Sequence, residues 1–137
     1  MSTTTVTYRG SLRTEARHHE SGGTLLTDVP TEIGGTNSAP SPSDLLAAAL
    51  GGCLLVTMAM LAEKRGINLT GATALVRKET STDSPKRIIS LQSVLTIPGG
   101  AQLTAEQREI LAKAEKYCLV HNSLHPDISA PVEIIWA

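Results

Sequence analysis

A chain of 137 residues is long enough for one domain with a core of its own. A net charge of −1, with 12 Lys plus Arg and no basic run, argues against nucleic acid or an acidic membrane as partner. The only aromatic residues are Tyr8, Tyr117 and Trp136, so platforms for stacking bases are absent.

Taken in order, Thr5–Tyr8 alternates and predicts a short strand that breaks near Gly10. Leu12, Thr14, Ala16 and His18 then alternate with Arg13, Glu15, Arg17 and His19, which predicts a second strand with one polar face. Ser21-Gly22-Gly23 is a turn, and Thr24–Val29 is expected to return as its hairpin partner until Pro30 stops it. The Gly-, Ser- and Asn-rich stretch from Thr31 to Pro40 reads as a loop.

The loop delivers the chain to its central stretch, Ser41 to Gly66. Ser41 is the expected N-cap, Pro42 the first helical residue, and Asp44 completes a variant capping box at the positive end of the helix dipole. Gly66 supplies the left-handed residue that ends such a helix. Between them, Leu45 to Ala62 carries no charge, and a helix apolar on every side is a buried one. Its length reaches the lower limit for a membrane span. However, much of it is Ala, Gly, Thr and Cys, and no second apolar span or basic leader accompanies it, so a core helix is the expectation. Gly51 and Gly52 each cost about 1 kcal/mol of helix propensity, so close packing or function should offset them.

Beyond the helix, Asn68–Thr80 and Arg87–Ile97 predict a second hairpin about the turn Ser81–Lys86. Thr104 with Gln107 forms a capping box, and Ile110, Leu111, Ala114 and Cys118 follow at helical spacing. Val132, Ile134 and Trp136 form a last strand. The order β-β-β, long helix, β-β, helix, β is an α+β chain with helices laid on antiparallel sheet, in a single domain over residues 1–137.

Cys53 and Cys118 are the candidate nucleophiles, each on the apolar face of an expected helix. Taken singly, each reads as a small buried hydrophobe. Together they change the balance, because two packed helices can bring two thiols within disulfide reach. Two cysteines without a secretory pattern also point to a reducing cytoplasm rather than to a disulfide framework. A thiol in an apolar helix stays protonated unless a cation stands nearby, and the nearest fixed charges are Arg13 and Arg17 on the polar strand face. For Arg17 a solvated face is the plainer reading. Cys118, His121 and His125 have zinc-like spacing, with Cys53 as a conceivable fourth ligand. Pro126 pushes His125 out of helical geometry, so the expectation is no metal and no cofactor.

The run Pro42-Ser43-Asp44-Leu45-Leu46-Ala47-Ala48-Ala49-Leu50-Gly51-Gly52-Cys53 resembles the signature of the OsmC/Ohr family of thiol-dependent peroxidases. Ala114 to His121 resembles that family's second cysteine motif, and Asp28-Val29-Pro30 with Ile33-Gly34-Gly35 matches its approach to the helix. The likeness spans nearly the whole chain and is closest to the OsmC-like branch. It implies antiparallel hairpins around a long central helix, an intertwined homodimer, and active sites at the subunit interface. It also implies a peroxide-attacking thiol at Cys53, a resolving thiol at Cys118 and an activating arginine at Arg13. Two departures are visible: Ser43 stands where the family often has a Glu that holds the arginine, with Asp44 one residue on, and Leu119 replaces the Pro of a Cys-Pro pair.

The expected reaction reduces organic peroxides foremost, and hydrogen peroxide second, through a Cys53 sulfenic acid. A dithiol reductant then regenerates the enzyme, and Asp44 or Glu15 is expected to hold Arg13. Leu46, Leu50, Val56 and Leu124 would form an apolar surround that favours organic substrates. The rival expectation is a non-catalytic dimer that binds a small apolar ligand or metal in the same pocket.

Overall fold

A computed structural model describes all residues from Met1 to Ala137. The expected α+β elements form, in two compact units, Met1–Leu46 and Ala47–Ala137.

In the first unit, β1 (Thr4–Gly10), β2 (Arg13–His18) and β3 (Thr24–Thr27) make a three-stranded antiparallel sheet in sequence order. Gly10, Ser11 and Leu12 all take positive φ, so the break expected near Gly10 is a tight hairpin turn. Val6 pairs with Ala16, and Ala16 with Leu25, which places these three on one face. Arg13, Glu15 and Arg17 point to the other. Little of this unit is buried: Thr27 and Asp28 are its two fully enclosed polar residues, whereas Val6, Tyr8, Leu25 and Leu26 are each more than half exposed.

Helix α1 runs from Pro42 to Glu63. Its start is the reciprocal cap that the sequence predicts. Ser41 Oγ accepts from the Asp44 N–H at 3.3 Å, and Asp44 Oδ2 accepts from the Ser41 N–H at 3.0 Å and from its hydroxyl at 2.7 Å. Burial, however, is one-sided. Ala47, Leu50, Gly51, Leu54, Met58 and Ala62 are buried, at the spacing of a single helical stripe. Ala49, Gly52, Val56 and Met60, on the opposite side, are exposed. By length and composition α1 is the one helix that could cross a membrane.

In the second unit, β4 (Thr73–Thr80) and β5 (Ile88–Ile97) pair antiparallel, and β6 (Val132–Trp136) joins β5 in parallel. The sheet is therefore mixed, not the antiparallel one expected. The helical segment between β5 and β6 is a crossover connection, and a strand returning from a crossover runs parallel to the one it left. Alternation along β6 marks its faces but carries no direction. The core combines Leu50, Leu54 and Met58 of α1 with Leu91, Leu95 and Ile97 of β5 and with Leu111, all at 0% exposure. Each contributes roughly 1.5–3 kcal/mol by leaving water. Gly51 lets α1 approach β4: a Cβ there would lie 3.1 Å from Val76 Cγ2 and 3.2 Å from Ala74 Cβ.

The expected second helix is three. Helix α2 (Ala105–Ala112) carries the Thr104–Gln107 capping box, with both reciprocal bonds made. It stops at Lys113, and α3 (Ala114–Tyr117) and α4 (Leu119–Ser123) follow as short pieces. Cys118 lies between them in extended conformation, φ −70° and ψ 114°, rather than on a helix face.

Candidate active site

Cys118 is the N-cap of α4. Its Sγ accepts the His121 N–H at 3.4 Å, the service that a Ser or Thr hydroxyl usually renders. The N–H groups of Leu119 and Val120 also lack helical partners. Both favour the Cys53 thiolate, and that of Val120 favours the Cys118 thiolate as well. The Cys53 and Cys118 thiols lie near enough to perturb each other's ionisation.

The two cysteines are driven apart electrostatically. Burial pushes the Cys53 thiol up, but hydrogen bonds from the Val120 N–H, the Cys118 side chain, Thr57 and the Leu119 N–H together hold it below the ordinary thiol value. Thr57 Oγ1 lies one turn along α1 at 4.0 Å from the sulfur. Cys118 is raised: burial is the first cause, its hydrogen bond to Cys53 and the charge developing there add to it, and the N–H of His121 works against it. Cys118 is fully enclosed and Cys53 is partly open. The partly open sulfur is therefore also the one that ionises first, as a nucleophile requires.

The histidines near by do not form a metal centre. His121 Nε2 sits 3.0 Å from the Ala130 carbonyl and 3.6 Å from Glu115 Oε1, and His125 Nδ1 accepts from the Asp127 N–H at 3.1 Å. No group of three or more His, Cys, Asp and Glu side chains converges anywhere in the chain. Of the apolar residues expected around Cys53, Leu50 is fully enclosed, Leu124 is half-buried and Val56 is 61% exposed.

In the first unit the arginine expected to act is held by a residue the sequence did not nominate. The loop after β3 folds back on itself at Gly35, where a Cβ would stand 1.9 Å from the Val29 carbonyl oxygen. That reversal lets Thr36 and Ser38 reach Asp28. Asp28 Oδ2 accepts from the Thr36 hydroxyl at 2.6 Å, the Ser38 N–H at 3.0 Å and the Ser38 hydroxyl at 2.7 Å, and Oδ1 accepts from the Val29 N–H at 2.8 Å. Although Asp28 is completely buried, these bonds hold its carboxyl well below the usual carboxylate range, the Thr36 hydroxyl foremost and burial working against them.

Arg13 closes the cluster. One terminal nitrogen donates to Thr36 Oγ1 at 2.7 Å, and Nε lies 3.6 Å from Asp28 Oδ2. The Thr36 hydroxyl thus accepts from the guanidinium and donates to the carboxylate. The carboxylate beside Arg13 is Asp28, not Asp44 or Glu15. Asp44 caps α1, and Glu15 Oε2 pairs with Arg9 at 3.3 Å. Arg17 shares a polar concavity with Thr5, Thr7, Arg9, Glu15 and His19. The available signal for Asp28 was an acidic residue at the end of an apolar strand followed by Thr and Ser at eight and ten residues, a pattern that becomes a site only once Gly35 bends the loop.

A family model described as OsmC-like protein matches residues 35–133. The chain belongs to the OsmC-like family. Among solved structures, a Psychrobacter arcticus protein named for an osmotic stress and detoxification response is 36% identical, with 98% of this chain and 96% of that one covered and a TM-score of 0.90. An organic hydroperoxide resistance protein of Legionella pneumophila is 18% identical at a TM-score of 0.75, covering 98% and 96%. One from Elizabethkingia anophelis is 18% identical at 0.76, covering 100% and 96%. These last two show that the fold is the OsmC/Ohr fold. No curated protein matches the chain. Both cysteines of this OsmC-like chain fall inside the matched region, and Arg13 and Asp28 precede it.

Proposed function

We propose that the chain is a cysteine-based thiol peroxidase, acting on organic hydroperoxides foremost and on hydrogen peroxide as well. The observation that carries this reading is the two thiols with opposite shifts: Cys53 lowered and partly open, Cys118 raised and enclosed, each acting on the other. Solved relatives of the same fold named for organic hydroperoxide resistance support it.

In the proposed cycle the Cys53 thiolate attacks the nearer peroxide oxygen. The O–O bond breaks, Cys53 becomes sulfenic acid, and the alkoxide leaves and takes up a proton as the alcohol. Arg13 is proposed as the guanidinium that stabilises the departing alkoxide, with Asp28 and Thr36 as the residues that hold it. The Cys118 thiol then attacks the sulfenic sulfur, forming the disulfide and releasing water before over-oxidation can occur. A small-molecule dithiol returns both thiols, in the reducing cytoplasm.

We also propose that the working form is an intertwined homodimer. The outward stripe Ala49, Gly52, Val56 and Met60 and the apolar face Val6, Tyr8 and Leu25 are surfaces that a second copy would cover. The rival reading, a non-catalytic binder of a small apolar ligand, has one observation of its own. A groove of about 590 Å³ along the C-terminal half of α1, lined by Leu55, Val56, Ala59, Ile67 and Leu69, lies apart from both sulfurs.

Dithiol-coupled reduction of cumene hydroperoxide separates the two. In the peroxidase, Cys53→Ser brings consumption down to the uncatalysed rate. Cys118→Ser permits a single turnover that leaves a dimedone-reactive Cys53 and no disulfide. Peroxide consumption undiminished in Cys53→Ser overturns the proposal.

A further inference from the structure

We propose that His121 is a positioning residue for the second thiol: through its backbone N–H and its ring together, it ties the Cys118 sulfur to the edge of the second sheet. What this implies for disulfide formation rests on the peroxidase reading above; the placement of Cys118 does not.

The anchor point lies just before β6. There the chain already runs along β5: the Ser129 N–H donates to the Ile89 carbonyl at 3.0 Å, and the Ser129 carbonyl accepts from the Leu91 N–H at 2.8 Å. The Pro131 carbonyl accepts from the Ser93 N–H at 3.0 Å. Successive residues of an extended chain turn their backbone groups to alternate sides, so the Ala130 carbonyl faces away from β5. β6 is the last strand of its sheet, and an outward carbonyl on an edge has no ladder partner. The His121 ring supplies one: Nε2 lies 3.0 Å from the Ala130 oxygen. A carbonyl can only accept, so Nε2 carries the proton. Glu115 Oε1, 3.6 Å from the same nitrogen, sets a negative charge facing that N–H.

The same residue holds Cys118 from the other side, where its backbone N–H donates to Sγ at 3.4 Å. Little else fixes α4. The helix is five residues long and none of the five is buried, so neither its own ladder nor packing keeps it in place. Its other side-chain bonds, Asn122 to the Lys116 carbonyl and Ser123 to the Leu119 carbonyl, stay within the local segment. The bond from His121 to Ala130 is the one that reaches the sheet. Cys118, at 0% exposure, is thus enclosed although the helix it caps is not. In the proposed cycle the Cys118 thiol attacks the Cys53 sulfenic sulfur. The S–S bond forms as the S–O bond breaks, and the departing hydroxide takes the thiol proton as water. A sulfur held in one place meets the alignment that this step needs.

Two measurements test this in wild type, His121→Ala and His121→Gln; the Gln amide keeps an N–H donor on a side chain of similar reach, and Ala does not. The first is alkylation of Cys118, read on its peptide by mass spectrometry with Cys53→Ser present throughout. It is expected to run about three- to tenfold faster in His121→Ala, the effect of one lost hydrogen bond, and to return toward the wild-type rate in His121→Gln. The second is the ratio of Cys53 sulfinic acid to disulfide at a fixed excess of cumene hydroperoxide. It is expected to rise by about the same factor in His121→Ala and to fall back in His121→Gln. Both products arise from one pool of sulfenic acid, so the ratio does not depend on how fast Cys53 is first oxidised. Cys118 alkylation as slow in His121→Ala as in wild type overturns the proposal, and so does an acceleration that His121→Gln fails to reverse. An unchanged ratio in a protein that reduces peroxide overturns the role in disulfide formation. Alkylation needs no peroxide: the expected Cys118 rates in a wild type that reduces none would sink the peroxidase reading and leave the placement by His121 standing.

Discussion

The two units hold their reactive groups by different means. In the first, a buried carboxylate is saturated by donors drawn from its own loop: Val29, Thr36 and Ser38 all lie within ten residues of Asp28. In the second, the groups that lower the Cys53 thiol lie on α4, far along the chain and just past the helix break at Cys118. The local cluster is a fixed support, with every strong acceptor site on Asp28 occupied. The non-local one is a pair of thiols shifted in opposite directions, Cys53 lowered and Cys118 raised. The contrast sets the buried support of Arg13 in the first unit against the pair of thiols in the second. It also changes what is expected of Arg13, because a device that lowers the Cys53 thiol is already present without it.

Arg13→Ala breaks the comparison most sharply, and gives the largest effect expected here. If α4 supplies the thiolate and Arg13 supplies transition-state charge, peroxide reduction falls about a hundredfold. The alkylation profile of Cys53 should move far less. Arg13→Lys should recover only part of the rate, because an ammonium cannot reproduce the planar bridge to Thr36 and Asp28. A loss of rate fully explained by a higher Cys53 pKa would mean that the thiol is activated by the arginine instead.

A smaller effect is expected from the support beneath it. Asp28 has a folded pKa below its unfolded value, so its stabilisation is complete above the ordinary carboxylate range, about pH 4, and is lost as pH falls below that. Thermal unfolding of the wild type should therefore weaken on acidification below about pH 4, and Asp28→Asn should flatten that part of the curve while lowering Tm at neutral pH. Thr36→Val removes the bridge but leaves Asp28 its Ser38 and Val29 donors, so it should impair turnover more than Tm. The reverse order, with Tm lost and turnover kept, would make the cluster purely structural.

How much of this was legible in the sequence depends on the range of the interactions. Both capping boxes, the first hairpins and the extent of α1 were legible, because caps, turns and periodicity act between residues a few positions apart. The break at Cys118 was not. Ile110, Leu111, Ala114 and Cys118 keep helical spacing, no Gly or Pro lies between them, and Cys is not a residue whose presence announces an N-cap. Nothing within that stretch signals the interruption. Asp28 was read only as part of the approach to the helix, since its donors gather only after Gly35 reverses the loop. The parallel entry of β6 was hidden for a third reason: alternation reports faces, not direction. The resemblance named both cysteines as the reactive pair, but the residue that holds the arginine had to come from the structure.

The smallest expected effects sharpen the same contrast within α1, where a partnered and an unpartnered glycine are adjacent in sequence. The sequence showed Gly51 and Gly52 as equals, each costing helix propensity. The structure separates them. A side chain at Gly51 meets Val76 and Ala74 at 3.1 and 3.2 Å, whereas a Cβ at Gly52 meets nothing within 4 Å. Gly51→Leu therefore forces α1 off β4 and should cost about 1–3 kcal/mol of overpacking, read as a lower Tm. Gly52→Leu has no such clash inside one chain, and by propensity alone should gain up to about 1 kcal/mol. If a second copy lies against the stripe Ala49, Gly52, Val56 and Met60, the cost of that leucine appears between subunits, not within one. Light scattering at micromolar concentration should then show Gly52→Leu shifted toward half the wild-type mass, with its helical signal intact, and Gly51→Leu less stable at unchanged mass. A Gly52→Leu protein that keeps the wild-type mass and gains stability would leave the stripe open to water and remove the main support for the proposed dimer.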